Sequence, residues 1–340
     1  MKKLTSQKFL PTLLQVTKES VGLILHQSAD PDAIGSAAAL AQLLKQSREI
    51  KVQIFAESLN RSAKNVAEAF NVELADPKDL VTHSTLVLVD LNNLEQMGTL
   101  TQDLPKEGVT MFCIDHHVPH QTLPEFVDFL LYDDQVRSTA ELVFQLWEAS
   151  EHSLSADCAT LLASGLVYDS RHFYIANNAA FEHFATLLRY GADYEHVLKL
   201  LSTPLDKSER IARLKAAKRV VVYDEFNLLI VATMIRAYEA SACRALIGVG
   251  ADIAIVCAGK KDEVRISARC TTTVNRELGL DLAKDVMEPL GELIGGAGGG
   301  HPTAAGANGK ASSDHALGLA LQLLRKTLKA NRNTSHSISD

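Results

Sequence analysis

The chain has 340 residues, more than a single core of the commonest domain size requires, so two domains are expected. Its 41 acidic residues outnumber 34 lysines and arginines, and the net charge of −7 argues against a broad basic surface for long nucleic acid. The five cysteines are scattered and lie mostly in apolar runs, which predicts buried thiols and argues against a disulfide framework. The N-terminus lacks signal-peptide features, and no apolar run reaches the roughly 20 residues of a membrane helix. We therefore expect a soluble, cytoplasmic protein.

Short apolar segments alternate with helical patterns in the first half of the chain, as with the helix predicted at 33–46. The apolar segments are 21–26, 50–56, 84–90 and 109–115. Continuous apolar runs of this length are typical of strands buried on both faces, and the alternation predicts a parallel sheet with helices on both faces. Ligands of such sheets bind at the carboxyl ends of the strands. Three strands end on residues suited to this: His26, Asp90 and Asp115.

The pattern changes in the second half of the chain, after a charged segment that we interpret as a connecting helix. Three strands, at 228–234, 251–259 and 263–270, are followed by a helix, a glycine-rich loop and a last helix, which predicts a second, smaller α/β domain. The C-terminal residues are polar and lack an apolar period, which indicates disorder. The expected division is a first domain at 1–205, a connecting helix at 206–225, a second domain at 226–330 and a disordered tail at 331–340.

The turn after the first apolar strand, HQSADPDAIGS, contains one histidine and two aspartates. Asp30 and Asp32 are two residues apart, and in extended backbone such residues point the same way. Gly35 and Ser36 then open a helix, as expected where a backbone approaches a phosphate. Aspartates before a helix also act as helix caps, so this turn by itself allows either a ligand site or a cap.

The fourth apolar strand ends in Asp115, His116 and His117. A carboxylate beside a histidine is the arrangement that orients a metal-bound imidazole. Asp90 and Asp169 would each be interpreted alone as turn residues. Taken together, two histidines and four carboxylates favour two divalent ions, either manganese or magnesium with cobalt as a substitute, and the cysteine placement excludes an all-thiolate zinc site. A dinuclear centre of this kind suits in-line displacement at phosphorus.

Five glycines fall within residues 295–300, directly before His301, and would let backbone amides approach an anion closely. A flexible linker is the alternative, and we favour a nucleotide-binding loop. The nearby segment EVRISARC alternates, so that Arg265 and Arg269 share one face. That face is either an exposed polar edge or a surface that binds phosphate through planar guanidinium groups.

These motifs, in this order, resemble the DHH phosphoesterases that carry a C-terminal DHHA1 domain. The matching motifs are HxxxDxD at 26–32, an aspartate at 90, DHH at 115–117, an aspartate at 169 and GGGH at 298–301. The resemblance covers roughly residues 20–325 and is nearest to the branch of nano-RNases and pAp phosphatases. Two segments depart from the family pattern, since Ser28-Ala29 and Pro31 replace an Asn-Pro and a Gly, and Val118-Pro119-His120 stands where an asparagine often follows the histidines. Neither departure removes a ligand.

The resemblance implies a role for each motif residue. The two sets of metal ligands would share Asp90 and would be His26, Asp30 and Asp90 for one ion, and Asp32, Asp90, His116 and Asp169 for the other. His117 would face the scissile phosphate, and Asp115 would support the histidines. The substrate-binding residues of the second domain would be Arg269, Gly298, Gly299, Gly300 and His301.

The expected function is a manganese-dependent phosphoesterase that hydrolyses short oligoribonucleotides or nucleotide phosphates (nanoRNA, pAp or linear dinucleotides) by in-line attack of water at two metal ions. A RecJ-like single-strand DNA exonuclease is the alternative, although the extra nucleic-acid-binding segments of that branch are missing. The pyrophosphatases of the family differ in their C-terminal domain, and its cyclic-dinucleotide phosphodiesterases carry membrane and sensory domains. An inactive scaffold of the same fold would have lost ligands that this chain keeps. We expect no binding to long duplexes or membranes, and a homodimer is compatible with the sequence.

Overall fold

The computed structural model describes residues 1–105, 107–202, 204–260 and 263–336. The chain divides into two units, Met1–Thr203 and Pro204–Asp340, and the division falls close to the predicted end of the first domain at residue 205. No helix in the described part of the chain is long and apolar enough to span a membrane.

The first unit is built on a parallel sheet, as its apolar runs predict. Its strands are β1 (Lys2–Lys3), β2 (Ser20–Ile24), β3 (Lys51–Phe55), β4 (Thr85–Val89), β5 (Thr110–Asp115) and β6 (Phe129–Tyr132). The order across the sheet is β1-β6-β5-β4-β2-β3, and every neighbouring pair is parallel. All five residues of β4 are buried, which agrees with a strand covered on both faces. The predicted fold class is confirmed.

Helices cover both faces of this sheet, with α-helices on one face and 3-10 helices on the other. The α-helices are α1 (Ser6–Val16), α2 (Pro31–Ser47), α3 (Arg61–Ala69), α4 (Thr139–Glu148), α5 (Ala156–Asp169), α6 (Asn178–Arg189) and α7 (Tyr194–Leu201). Successive strand residues point to opposite faces, so Val87 of β4 joins a core with Leu40 of α2, while Leu88 joins a second core with Leu100. The second core is covered by 3-10 helices at Pro77–Thr82, Leu94–Asp103 and Leu123–Glu125.

The topology places the candidate ligands at one edge of the sheet. Strands β5, β4 and β2 are neighbours and run in the same direction, so their carboxyl ends meet. The segments that follow these three strands carry the HxxxDxD motif, the strand-end aspartate and the DHH triplet.

The second unit is built on a mixed sheet. Its strands are β7 (Val221–Glu225), β8 (Leu228–Ile235), β9 (Ile253–Lys260), β10 (Glu263–Cys270), β11 (Ala297–His301) and β12 (Ala304–Lys310). The order is β11-β12-β10-β9-β8-β7, with β8 and β9 parallel and the other neighbours antiparallel. The helices are α8 (Lys207–Arg219), α9 (Glu239–Gly248), α10 (Thr272–Leu278), α11 (Glu288–Leu293), which follows a π-helical turn at Ala283–Met287, and α12 (Ser313–His336).

Two boundaries differ from those predicted. The predicted connecting helix at 206–225 contains both α8 and β7, because the β-branched residues from Val220 onward leave the helix and pair with β8. Helix α12 continues to His336 and so enters the segment that was predicted to be a disordered tail. Extending an established helix costs little even for polar residues, because the nucleus is already formed. Residues 337–340 of that segment lie outside the described residues.

Candidate active site

A cavity of about 390 Å³ opens at the carboxyl ends of β2, β4 and β5. Its lining residues are His26, Gln27, Ser28, Asp30, Asp90, Gln96, His117 and Asp169. Five of these eight were predicted as ligands or catalytic residues from the sequence. The cavity therefore brings together acids and histidines that are up to 143 residues apart in the chain, as the difference between positions 26 and 169 shows.

The first group of side chains at this cavity consists of His26, Asp30 and Asp90, whose ligand-type atoms all lie within 4.8 Å of one another. Asp30 is also the N-cap of α2, since its Oδ1 accepts hydrogen bonds from the backbone N–H of Asp32 at 2.9 Å and of Ala33 at 3.2 Å. Of the two interpretations that the sequence left open, the helix cap is thus confirmed for Asp30, and the ligand site stays a prediction. The cap fixes the carboxylate, and the same carboxylate faces His26 and Asp90.

The second group consists of Asp32, Asp90, His116 and Asp169, again within 4.8 Å of one another. The Nε2 atom of His116 lies 3.1 Å from Oδ2 of Asp169 and 3.7 Å from Oδ1 of Asp90. That nitrogen is buried and has no hydrogen-bond partner in the described part of the chain. A buried, unpartnered ring nitrogen between carboxylate oxygens fits a divalent cation, because imidazole and carboxylate are both ligands of such ions.

The electrostatics of these groups also fit a cation. Burial raises the pKa of Asp32 and of Asp90 well above its usual range, and the charges of neighbouring carboxylates raise both further. Asp32 is fully buried and Asp90 is 4% exposed. Several buried carboxylates in mutual repulsion are costly, and a bound divalent ion would relieve both the burial and the repulsion.

Asp90 is the residue that the groups share. It belongs to both groups above and to a third that contains Asp115, His116 and His117. Its backbone adopts φ = 60°, a left-handed conformation that aspartate tolerates better than most residues. The hydroxyl of Thr139 donates a hydrogen bond of 2.8 Å to its Oδ1. Asp90 thus takes the position of a bridging residue between the two groups.

Asp115 acts on one histidine of the DHH triplet in particular. Its Oδ1 lies 2.8 Å from Nδ1 of His117 and accepts the backbone N–H of the same residue at 2.9 Å. The hydrogen bond to Asp115 raises the pKa of His117 to about 9. The resemblance implied support for both histidines, whereas in the described residues the carboxylate of Asp115 forms its hydrogen bonds with His117 and with the side-chain amide of Asn92.

Asn92 and Thr139 contact this site and were not predicted from the sequence. The Nδ2 of Asn92 donates to Oδ2 of Asp115 at 2.6 Å and to the carbonyl of Val118 at 3.3 Å. Its Oδ1 accepts the backbone N–H of His120 at 3.1 Å, so Asn92 ties down the segment that carries the triplet. The only feature of the sequence that could have indicated Asn92 is its position two residues after the strand-end aspartate, Asp90.

Gly35 has a different role from the one that its position suggested. A Cβ atom at this residue would lie 2.5 Å from the carbonyl oxygen of Leu161 in α5. The glycine therefore allows α2 and α5 to approach closely. Ser36 lies near the site, with its hydroxyl 3.4 Å from Oδ1 of Asp32.

In the second unit, one face of the sheet carries three of the five predicted substrate residues, Arg269, Gly299 and His301. Arg269 of β10 pairs with Ala304 of β12, which in turn pairs with His301 of β11. Residues paired across antiparallel strands lie on the same face, so Arg269 and His301 share a face and are about 9–10 Å apart at the backbone, two strand spacings. The next row along the same face is Ser267, Gly306 and Gly299, and the third is Arg265, Asn308 and Ala297.

The glycine-rich segment is a strand and not the predicted loop, and its glycines serve different purposes. A Cβ at Gly298 would lie 1.7 Å from the carbonyl oxygen of Met287, so this glycine is required for close packing. Gly300 has φ = 139°, which favours glycine at the end of the strand. A Cβ at Gly299 would meet no atom within 4 Å. Gly299 is therefore the member of the three whose face is open to a ligand.

Comparison with known proteins agrees with this architecture. Residues 20–166 match the model of the DHH family N-terminal domain, and residues 231–330 match that of the DHHA1 domain. The protein MJ0988 of Methanocaldococcus jannaschii is 30% identical over 298 residues, which cover 86% of this chain and 87% of that protein. The chain therefore belongs to the DHH family, whose members are metal-dependent phosphoesterases, and it carries a DHHA1 domain. The family predicted from the motifs is confirmed.

Two further similarities are informative. The bifunctional oligoribonuclease and PAP phosphatase NrnA of Bacillus subtilis is 26% identical over 205 residues, which span 59% of each chain. A crystal structure of an exopolyphosphatase-related protein from Bacteroides fragilis has a TM-score of 0.69 at 18% identity, and the match covers 96% of this chain and 97% of that one. The second similarity concerns the fold alone.

Proposed function

We propose that this protein is a manganese-dependent phosphoesterase that hydrolyses short oligoribonucleotides or nucleotide phosphates, such as pAp and linear dinucleotides. The observation that carries the proposal is the pair of acid-and-histidine groups that share Asp90 beside an open cavity. The similarity to NrnA, whose name states oligoribonuclease and PAP phosphatase activity, supports the choice of substrate.

Two divalent ions would be held by the residues that the structure brings together. The proposed ligands are His26, Asp30 and Asp90 for one ion, and Asp32, Asp90, His116 and Asp169 for the other. These oxygen-rich donors, with one imidazole in each set, suit manganese, with magnesium or cobalt as substitutes. When bound, such a pair of ions activates water for in-line attack and stabilises charge on the phosphate oxygens.

His117 is the proposed contact to the scissile phosphate. Its side chain is 58% exposed and lines the cavity, and Asp115 fixes the ring through Nδ1. The ring nitrogen Nε2 is then the one available to donate a hydrogen bond to a substrate oxygen. Asp115 would act by orienting this ring, which Asn92 reinforces by binding the other oxygen of the carboxylate.

The open face of the second unit is the proposed contact to the rest of the substrate. Arg269 presents a planar guanidinium, which can bind phosphate through two parallel hydrogen bonds. His301 shares the face with Arg269, and Gly299 in the next row leaves the adjacent backbone of β11 accessible. Arg265 on the same face is instead paired with Glu239 at 3.2 Å, so we assign it no substrate role.

A substrate panel tests the proposal. Dinucleotides, 5-mers and 20-mers of RNA and DNA, and pAp, are each incubated with the protein and manganese. We expect manganese-dependent turnover that declines with substrate length. A preference for a 20-mer of DNA would favour the RecJ-like exonuclease, and the absence of turnover on every substrate would favour the inactive scaffold.

Variants of the second unit test its part in the proposal. Arg269→Ala and His301→Ala should each lower kcat/KM for a nucleotide substrate by about 10- to 100-fold, as a lost charge-assisted hydrogen bond of about 1.5–3 kcal/mol implies. Both should retain manganese and should lose much less activity on bis-p-nitrophenyl phosphate. Arg276→Ala, at a side chain that is 77% exposed, is the matched control. Equal losses on both substrates would contradict a substrate-binding role.

A further inference from the structure

The N-terminus of α4 contacts two of the proposed ligands at once. The backbone N–H of Thr139 donates to Oδ2 of Asp32 at 2.6 Å, and that of Ala140 donates to Oδ1 at 2.9 Å. The hydroxyl of Thr139 donates to Oδ1 of Asp90 at 2.8 Å. Thr139 is fully buried, so these hydrogen bonds do not compete with bulk water. One residue thus binds the carboxylates of both Asp32 and Asp90.

The local sequence explains why these donors are available. The first backbone N–H groups of a helix have no acceptor within the helix. Ser138 caps α4 by accepting the N–H of Glu141, which leaves the N–H groups of Thr139 and Ala140 free for another acceptor. The partial positive charge of the helix N-terminus also favours a carboxylate there. Asp32 fills this position.

The hydroxyl of Thr139 has a separate consequence for Asp90. The left-handed backbone of Asp90 sets the direction of its side chain, and a single donor to Oδ1 then restricts the rotation of the carboxylate. A bridging carboxylate must present each oxygen in a defined direction, because its two oxygens serve different groups. Restricting this rotation before an ion binds reduces the entropy that binding would otherwise cost.

We propose that Thr139 is a positioning residue of the candidate metal centre. It contacts neither substrate nor metal, and it sets the orientation of Asp32 through its backbone and of Asp90 through its hydroxyl. The inference rests on the proposed function, in that it assumes that these two acids are metal ligands. It adds a residue that belongs to none of the three acid-and-histidine groups.

Manganese affinity measured by calorimetry on the metal-free protein tests this role. Thr139→Val keeps the shape and the backbone N–H but removes the hydroxyl, and it should weaken binding at one or more sites by about 10- to 100-fold, as is usual for partners of metal ligands. Thr139→Ser should restore most of the affinity. Thr139→Ala serves in the same way as Thr139→Val if the valine variant does not fold.

The matched control is Thr160→Val in α5. Thr160 is also buried, and its hydroxyl donates to the carbonyl of Ala156 and accepts the N–H of Asp193, so its hydrogen bonds in the described residues involve none of the proposed ligands. This variant should lower the thermal stability of the protein while leaving the manganese affinity unchanged. Equal manganese affinity of wild type, Thr139→Val and Thr139→Ala would overturn the positioning role while leaving the proposed function intact. A wild-type protein that binds no manganese would instead contradict the proposed function.

Discussion

Replacing Asp90 by asparagine should separate metal binding from folding. Asparagine tolerates the left-handed backbone of this position, and its side-chain oxygen can still accept the hydroxyl of Thr139. Burial, and then the charge of Asp30, raises the pKa of Asp90, which means that its ionised form is disfavoured in the metal-free protein. Removing this carboxylate should leave the metal-free protein at least as stable as wild type, because the variant no longer carries the cost of ionising a buried carboxylate.

Manganese should stabilise wild type much more than it stabilises Asp90→Asn. At a concentration 100 times the dissociation constant, one bound ion stabilises wild type by about 2.7 kcal/mol. For a unit of about 200 residues this amounts to a rise in Tm of about 5–10 °C. Asp90→Asn removes a carboxylate from both ligand groups, so we expect the rise to fall below about 2 °C, together with the loss of activity on bis-p-nitrophenyl phosphate.

Differential scanning calorimetry of each protein, metal-free and with increasing manganese, provides the measurement. Asp224→Asn, at an exposed residue of β7, removes the same charge at a distance from the acids and is the control. If manganese raised the Tm of Asp90→Asn as much as it raises that of wild type, the bridging role would be refuted. A metal-free Tm well below that of the control would refute the argument from buried charge.

Other predictions concern stability. Gly298→Ala should destabilise the second unit by about 1–3 kcal/mol or more, because its methyl group would collide with the backbone of Met287. Gly299→Ala, the control, should leave the free energy of unfolding in urea unchanged. Equal effects of the two substitutions would contradict the packing role of Gly298. The hydrogen bond to Glu141 raises the pKa of His183. The contribution of this pair to stability is therefore complete at pH values below the ordinary histidine pKa of about 6.5. It is lost as the pH rises through the raised pKa of the folded protein. The difference in unfolding free energy between wild type and His183→Gln should therefore be larger at about pH 6 than at about pH 9, and a constant difference would refute the pair.

The positions of the candidate ligands were predictable because the motif residues follow apolar strands directly. In a parallel sheet, the ends of β2, β4 and β5 must meet, so His26, Asp90 and the DHH triplet were expected at one edge before any coordinates were available. Asp169 does not follow a strand, so the sheet topology by itself did not predict its position beside the others. Its place beside His116 depends on the packing of α5.

The remaining features depend on tertiary contacts that leave little trace in the sequence. The glycines of β11 suggested a loop. In the structure a glycine is required at position 298 because the backbone of Met287, eleven residues earlier in the chain, packs against it. Thr139 looked like an ordinary residue after a helix cap, because its acceptors Asp32 and Asp90 are 107 and 49 residues away. Local propensity cannot specify such contacts.

One wall of the cavity is formed by the 3-10 segment Leu94–Asp103, to which Gln96 belongs. Such helices have poorer hydrogen-bond geometry than α-helices, and short segments of this kind open locally without unfolding the sheet. Amide hydrogens of Leu94–Asp103 should therefore exchange with solvent much faster than those of β5, whose release requires global unfolding. A ligand that fills the cavity would slow the exchange of this wall and leave the exchange of β5 unchanged, so amide exchange at Leu94–Asp103 would report whether the cavity is occupied.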